Sequence, residues 1–345
     1  MARAPSPAGI GVGDWMPRIT LPLASGTLFD SADPATAGFA RVYWVGTPTE
    51  TARLADALMA CETLLHTVVA KPFTGPDSPP SCLVDRMGEL GRAFGVVGPL
   101  AVVVDPAGRI RGLLQSPTVD QVIAAATMLY RATTPVTVRA KAPVLLLEEV
   151  LEPDFRQALI DYWHRSEKLA NRVGSSTGNV VNDDVKRRQD VQVDDPTLFA
   201  RLRDCLVRRV TPAMVQAFHA DIRVIEAPIV GCYDSGAGGW FNRHRDNTSE
   251  LTAHRQFALT LNLNADDEYD GGEVRFAEFG RELYRPSPGG AVVFSTSLLH
   301  EVIPVTRGRR FGVFTFLSNS GPDVRRSPPS GGAPQRARLP GSSYA

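Results

Sequence analysis

Residues 240–249 read WFNRHRDNTS, a short polar stretch with glycines before it and turn formers after it. In an extended segment successive side chains point to opposite faces, so His244 and Asp246 share one face and Arg243 and Arg245 the other. An imidazole beside a carboxylate makes a two-pronged claw for a metal ion. A surface strand of mixed charge carries the same residues, so a third ligand has to separate the two readings. Downstream, GGAVVFSTSLLHEVIPVTRGRRFGVFTFL (289–317) puts His300 at the end of an apolar strand, with a turn expected at Gly308 and a second strand from Arg309. Two strands joined in this way can bring His300 beside His244 and Asp246 inside a barrel.

At 345 residues the chain is long enough for two domains, each with its own core. Lys plus Arg and Asp plus Glu are equal at 37 each, so no overall field draws in nucleic acid or an anionic membrane. The run Lys186–Arg188, flanked by Asp183, Asp184 and Asp190, reads as a solvated face rather than a binding patch. The N-terminus lacks an apolar stretch of signal-peptide length, and the longest apolar run, Phe94 to Val104, is too short to span a bilayer. Cys61, Cys82, Cys205 and Cys232 are too widely spaced for a zinc knuckle or a C-x-x-C pair. A reducing cytoplasm is the expected compartment.

Strand and helix patterns alternate at first. RVYWV (41–45) reads as a strand, ARLADALMACETLLH (52–66) as a helix, TVVA (67–70) as a strand and LVDRMGELGRAFGV (83–96) as a second helix. PLAVVVDPAGRIRGLLQ (99–115) is a strand, a turn and a returning strand, and VDQVIAAATMLYRA (119–132) closes as a helix. This order predicts an α/β sheet that mixes parallel crossovers with a terminal hairpin. The order and the stretches GDWMPRITLPLASG (13–26) and LGRAFGVVGPLAVVVDPAGRIR (90–111) resemble the thioredoxin fold in its peroxiredoxin form. The resemblance implies a cis proline at Pro99, before the third core strand.

ATTPVTVRAKAP (132–143) has linker character, and the expected organisation is a thioredoxin-like domain over 1–133, a linker over 134–142, a second domain over 143–320 and a disordered tail over 321–345. The second domain opens with VLLLEEVLEPDFRQALIDYWHR (144–165), a strand and an amphipathic helix, followed by a helical pattern from Pro196 to about Phe218. After Ile222 come short strands between Gly, Asp and Pro turns, as in an antiparallel sandwich or barrel.

Two histidines and one carboxylate on one side of a metal leave three positions open, as non-haem Fe(II) oxygenases require. CYDSGAGGWFNRHRDN (232–247), HRQFALTLNLN (254–264), EYDGGEVRF (268–276) and HEVIPVTRGRRFGVFTFL (300–317) resemble the Fe(II)/2-oxoglutarate dioxygenases of the prolyl hydroxylase-like branch. The resemblance implies an α+β double-stranded β-helix (jelly roll) with flanking helices. It implies Fe(II) on His244, Asp246 and His300, with 2-oxoglutarate and O2 as co-substrates and ascorbate as an optional reductant. It also implies that Arg310 binds the far carboxylate of 2-oxoglutarate, and a guanidinium fork suits a carboxylate through two parallel charge-assisted hydrogen bonds. Strand alternation puts Arg310 on one face with Gly312 and Phe314, where a glycine would leave room for the keto acid or merely relieve packing, and puts Arg309 on the outer face.

Two further residues are candidates for the co-substrate pocket. Asn262 stands where related prolyl hydroxylases carry a tyrosine, and Tyr233 matches a family tyrosine that faces the pocket; each reads equally well as a core residue satisfied elsewhere. Trp240 is either a wall of the substrate site or packing. His66, His164, His219 and His254 lack partner ligands and are read as structural.

The implied activity is hydroxylation of an aliphatic carbon, with release of succinate and CO2, on a protein or peptide residue, a free amino acid or a small metabolite. Neither nucleic acid nor membrane is expected as a partner. The segment 171–190 is expected to form a loop near the mouth. Two rivals stand against the enzyme reading: a thiol peroxidase, suggested by the first domain, and a β-barrel binding module without chemistry. The first needs a cysteine where the first core strand gives way to its helix, and WVGTPTETARLADAL (44–58) has none. The first domain is therefore expected to be a redox-inactive platform for docking, homodimerisation or substrate presentation.

Overall fold

Thr47 and Glu50 form a reciprocal capping box, and with Pro48 at the first helical position they set where the first helix begins. In the computed structural model, which describes residues 9–33, 36, 38–70, 82–129, 141–169, 172–175, 178–181 and 186–320, the N-terminal part forms a five-stranded sheet. A hairpin of β1 (Thr20–Pro22) and β2 (Leu28–Asp30) precedes β3 (Ala40–Val45), α1 (Pro48–Met59) and β4 (Thr63–Val69). Then come β5 (Cys82–Val84), α2 (Glu89–Phe94), β6 (Leu100–Val104), β7 (Ile110–Gln115) and α3 (Val119–Thr127). The sheet order is β5-β4-β3-β6-β7, with β3, β4 and β5 parallel and β6 and β7 antiparallel. On one face α1 and α3 bury Val42, Trp44, Leu54 and Val122; on the other, Tyr43, Leu83 and Phe94 form a second core.

Three local expectations are corrected. The helix read over 52–66 ends at Met59, and residues 63–66 open β4, because an apolar run such as TLLH satisfies either period. The helix read over 83–96 is only Glu89–Phe94; Cys82–Val84 pair with β4, and the Asp85 carboxylate accepts from the Glu89 and Leu90 amides to start the helix afresh. Among the described residues no peptide bond is cis, so Pro99 does not take the form the resemblance implies; Gly98, at φ +102°, makes the turn into β6.

His66 on β4 is buried between the rings of Tyr43 and Phe29, and among the described residues neither ring nitrogen has a hydrogen-bond partner. Burial, helped by the charge of Arg41, lowers its pKa from 6.5 to about 4. An unfolded chain takes up this proton near pH 6.5 and the folded one only near 4. The stability tied to neutral His66 is therefore full above pH 6.5 and is lost as pH falls toward 4. Relative to a His66→Phe variant, the wild type is expected to lose about 2 kcal/mol between pH 7 and pH 5. Parallel denaturant melts at the two pH values measure it, and equal losses would show that His66 is already charged in the fold.

The C-terminal part starts with β8 (Val144–Leu147) and α4 (Pro153–Arg165), followed by a hairpin of β9 (Arg172–Ser175) and β10 (Gly178–Val181). Next are β11 (Lys186–Arg187), β12 (Gln189–Gln192), α5 (Pro196–Cys205), a π-helical turn over Leu206–Val210 and α6 (Thr211–Phe218). Ten strands complete it: β13 (Val224–Ile225), β14 (Ile229–Asp234), β15 (Trp240–His244), β16 (Phe257–Asn262), β17 (Tyr269–Gly271), β18 (Val274–Arg275), β19 (Leu283–Tyr284), β20 (Ala291–Ser295), β21 (His300–Val302) and β22 (Val305–Ser318).

The large sheet runs β12-β14-β22-β16-β20-β8 and the small one β11-β15-β21-β18-β19. From β14 onward the chain passes back and forth between the two sheets, which is the connectivity of a jelly roll, or double-stranded β-helix. The helices cover the outer face of the large sheet, where Phe155, Leu159, Trp163, Met214, Leu259 and Val313 share one core. Gly308, where a turn was expected, instead lies inside β22 at φ +70°, and a Cβ there would stand 2.2 Å from the Glu268 carbonyl.

The two parts meet through buried charge. Asp14 binds Arg208 and Arg209; Arg209 also donates to the Val150 carbonyl at 2.8 Å and to Glu152 at 2.5 Å. Arg109 on the N-terminal side donates to the carbonyls of Gly13 and Glu149. The N-terminal sheet is thereby fastened to the turn between β8 and α4. The expected linker, apart from residues 141–142, and the expected tail at 321–345 lie outside the described residues, as does part of the loop expected over 171–190. No described helix is long and apolar enough to cross a membrane.

Candidate metal centre

β15 ends at His244, so Asp246 does not lie on the strand but in the turn beyond it. That turn is stitched to the connection between β20 and β21. The Asp246 amide donates to the Thr296 carbonyl at 3.0 Å, Asn247 Nδ2 to Ser297 Oγ at 2.7 Å, and Arg245 to the Ser297 carbonyl. The same connection delivers His300, which opens β21 rather than ending the apolar strand, because β20 stops at Ser295. His244 and His300 then face each other across paired strands.

The hydrogen bonds fix the tautomers. His244 Nδ1 lies 2.7 Å from the Asn242 carbonyl and His300 Nδ1 lies 3.0 Å from the Leu298 carbonyl. A carbonyl only accepts, so each Nδ1 carries the proton and each neutral ring presents a bare Nε2. His244 Nε2 stands 3.3 Å from Asp246 Oδ1, and His300 Nε2 stands 3.5 Å from Asp246 Oδ2. One donor atom from each of the three residues lies within 4.8 Å of the others. Ligands about 2.1 Å from one ion at right angles would be about 3 Å apart, so a small shift gathers the set.

Electrostatics agree with that donor set. Burial alone would raise the Asp246 carboxyl, but the adjoining His244 and His300, with the Arg255 guanidinium, hold it below the usual carboxylate range. Burial lowers His300, keeping it neutral. Stacking of Phe241 on His244, with ring centres 3.7 Å apart, and the edge contact of Phe294 with His300 fix the ring planes. One anionic oxygen ligand and two neutral nitrogens suit a divalent first-row metal.

The triad opens into a cavity of about 250 Å3 between the two sheets. Arg310 is buried, at 2% exposure, and is not itself among the residues that line the cavity, whereas Arg309 faces outward to Asp234 at 2.7 Å. Among the described residues the Arg310 guanidinium makes one hydrogen bond, from Nη1 to the Gly272 carbonyl at 2.6 Å, and no carboxylate pairs with it. Gly272 makes room for that stem: a Cβ would stand 2.9 Å from Arg310 Cδ. Tyr233 and Phe314 lie beside the guanidinium, 5.5 and 5.9 Å from ring centre to its carbon. Gly312 serves packing, not a ligand, since a Cβ there would meet the Leu261 carbonyl at 2.9 Å and the Phe314 ring at 3.0 Å.

Tyr233 lines the cavity. Asn262 is not brought to it: its amide donates to the carbonyls of Asn264 and Pro286, and its Oδ1 accepts from Tyr269. Trp240 does not line the cavity either; its neighbour Phe241 does. The remaining described histidines have structural surroundings. His164 packs on Trp163 and Phe311, His219 ends α6 at φ +51°, and His254 is paired with Glu226.

Sequence reasoning missed three charged lining residues, Arg188, Glu226 and Arg255. Glu226 takes both Arg255 Nε and Nη2 at 2.8 Å. The largest correction concerns the run read as a solvated face. Lys186, Arg188 and Asp190 are buried, at 4%, 8% and 4% exposure, because a strand turns alternate residues to one side and here that side is inward. Their spacing was the available signal.

The thiols offer nothing comparable. Cys61 falls just past the end of α1 and Cys82 lies buried in β5. Burial pushes Cys205 up to about 11 and Cys232 to about 12, far from a thiolate at neutral pH.

A sequence profile of the 2OG-Fe(II) oxygenase superfamily matches residues 229–318. A PKHD-type hydroxylase of Nitrosomonas europaea is 31% identical over 163 residues, 44% of this chain and 70% of that protein. A PKHD-type hydroxylase of a Synechococcus species is 29% identical over 102 residues, 28% of this chain, and the match spans 45% of that protein's length. Among solved structures, a prolyl hydroxylase from Trichoplax adhaerens, in complex with a hypoxia inducible factor oxygen degradation domain peptide fragment, aligns with a TM-score of 0.44 and 14% identity over 52% of this chain and 84% of that one.

Proposed function

This chain belongs to the 2OG-Fe(II) oxygenase superfamily, with PKHD-type hydroxylases among its relatives, and from that premise we propose that its C-terminal part hydroxylates an aliphatic carbon. The observation that carries the reading is the convergence of two bare Nε2 atoms on the Asp246 carboxylate, with both Nδ1 protons held by backbone carbonyls. His244, Asp246 and His300 would hold Fe(II). Bound there together with 2-oxoglutarate and O2, Fe(II) would supply the oxidising chemistry, with succinate and CO2 as the expected co-products.

The chain's own residues bind, orient and shield. Arg310 would take the far carboxylate of 2-oxoglutarate through a fork whose charge no described carboxylate balances. Tyr233 would add a hydroxyl to that pocket, while Asn262 is engaged by Tyr269 and two backbone carbonyls away from it. Val274, Phe294 and Val302 give the wall an apolar stretch beside the metal-holding residues, which limits the access of bulk water. The cavity accepts a single side chain or a small molecule, so the substrate class is a peptide residue, a free amino acid or a small metabolite. Soluble, cytoplasmic residence and independence of nucleic acid belong to the same proposal.

Incubating the purified chain with Fe(II), 2-oxoglutarate and O2 tests this. Succinate should form, and mass spectrometry should find a product one oxygen heavier among proline-containing peptides, amino acids or metabolites. A chain that binds neither metal nor 2-oxoglutarate would instead be a barrel without chemistry.

We assign the N-terminal part a thioredoxin-like fold without redox function, from its sheet order and from the lack of a cysteine between β3 and α1. Combining Cys61→Ser with Cys82→Ala is expected to leave hydroxylation within about twofold of wild type. Wild type should show no turnover of hydrogen peroxide with a thiol reductant. Peroxide turnover that the double variant loses would make the protein bifunctional. Docking on the β8–α4 turn through Asp14 and Arg109 favours a structural role for this part.

A further inference from the structure

The cavity wall includes a buried cation, Arg188, that hydroxylation as described leaves without a task. Lys186, Arg188 and Asp190 alternate along the bridge from β11, in the small sheet, to β12, in the large one. Asp190 Oδ1 accepts from Arg188 Nε at 2.5 Å, and Oδ2 accepts from Arg188 Nη2 at 3.0 Å and from Lys186 Nζ at 2.6 Å. Gly231 on β14 makes space for the pair, since a Cβ there would stand 2.7 Å from Asp190 Oδ1 and 2.8 Å from Arg188 Cδ. Burial alone would depress the Arg188 guanidinium, but Asp190 and Tyr233 outweigh it and keep it charged. The guanidinium lies 3.9 Å over the Phe314 ring, and Nη1 reaches Tyr233 Oη at 3.3 Å.

That last hydrogen bond has a fixed polarity. A guanidinium can only donate, so the phenol oxygen must accept, and the phenol proton remains for another acceptor. Tyr233 is fully buried and lines the cavity, and among the described residues nothing accepts from its hydroxyl. Accepting from a cation also polarises the O–H bond and makes it a better donor.

We propose that Arg188 is a positioning residue for the co-substrate: by donating to Tyr233 Oη it commits the phenol to donate to a carboxylate of 2-oxoglutarate. The inference rests on the reading of this cavity as the 2-oxoglutarate pocket. Arg188 touches no ligand itself. Asp190 and Lys186 hold its orientation, and Phe314 supports its plane.

The test is calorimetric titration of 2-oxoglutarate into the full chain loaded with Mn(II), where no turnover occurs. Tyr233→Phe is expected to weaken binding about tenfold. Arg188→Lys keeps a cation beside Asp190 but no longer reaches the phenol, and it should weaken binding about fivefold or more in the Tyr233 background. In the Tyr233→Phe background the same change should be silent, within about twofold, and Mn(II) affinity should be unchanged throughout. Equal losses in both backgrounds would mean a merely structural role, and no loss in either would also overturn the proposal. A paired Arg188→Met, Asp190→Leu variant removes the ion pair as a unit and should reproduce the pattern if Arg188→Lys folds poorly. Arg310→Met separates the premise from the inference. If wild type does not bind, or Arg310→Met binds like wild type, the co-substrate reading fails and takes this proposal with it.

Discussion

Asp246→Ala is expected to abolish 2-oxoglutarate consumption and to lower Mn(II) affinity by more than about 100-fold. Asp246 is the only anionic member of the metal-holding set, so its loss leaves two neutral imidazoles to hold a divalent charge. It also leaves the two Nε2 atoms without the carboxylate on which both now converge. His244→Ala and His300→Ala should be equally inactive, because a metal held by two ligands gains water and loses its fixed orientation. The backbone should tolerate these changes: the Asp246 amide bond to Thr296 and the Asn247 bond to Ser297 do not involve the deleted side chains. Metal titration beside a thermal melt therefore separates lost binding from lost folding. Wild-type turnover in any of the three would remove the iron assignment.

The grouping of His244, Asp246 and His300 and the buried side of Arg310 were legible because strand alternation and a few spacings suffice to describe them. His300 and Arg310 fall on a segment whose apolar residues already mark it as buried strand, so the polar exceptions stand out. The neighbouring details were not legible. Asp246 sits beyond its strand because Thr296, fifty residues away in sequence, captures its amide. A local period cannot report that bond. The apolar run at 63–66 fits helix and strand alike, and pairing with β3 decides it.

The run Lys186–Asp190 shows the same limit from the opposite side. Its alternation correctly groups Lys186, Arg188 and Asp190, but charge composition argues for solvent and says nothing of which side is in. Burial of three charges is tolerable only because they satisfy each other, and because Gly231 leaves the volume they occupy. Those conditions come from a strand forty residues downstream. Asn262 was a fair candidate by position, yet Tyr269 and two carbonyls engage its polar atoms.

Arg310→Lys is expected to weaken 2-oxoglutarate binding by roughly 10- to 100-fold while leaving Mn(II) affinity near that of wild type. The guanidinium is buried, and its one hydrogen bond among the described residues spends a single Nη1 proton on the Gly272 carbonyl. The other donors remain for a carboxylate, two of them in the parallel geometry that an ammonium cannot reproduce. Lysine keeps the charge, so the loss reports geometry rather than net electrostatics. Arg309→Lys supplies the control one residue away. Its side chain is 55% exposed and pairs with Asp234 on the surface, an arrangement that contributes at most about 1 kcal/mol to stability and nothing to the cavity. A one-residue slip in β22 would exchange these two roles, because it turns every side chain to the opposite face. The register Tyr233↔Arg310 and Asp234↔Arg309 excludes that exchange within the fold described. A sensitive Arg309 beside a silent Arg310 would therefore overturn both the pocket and the strand register that builds it.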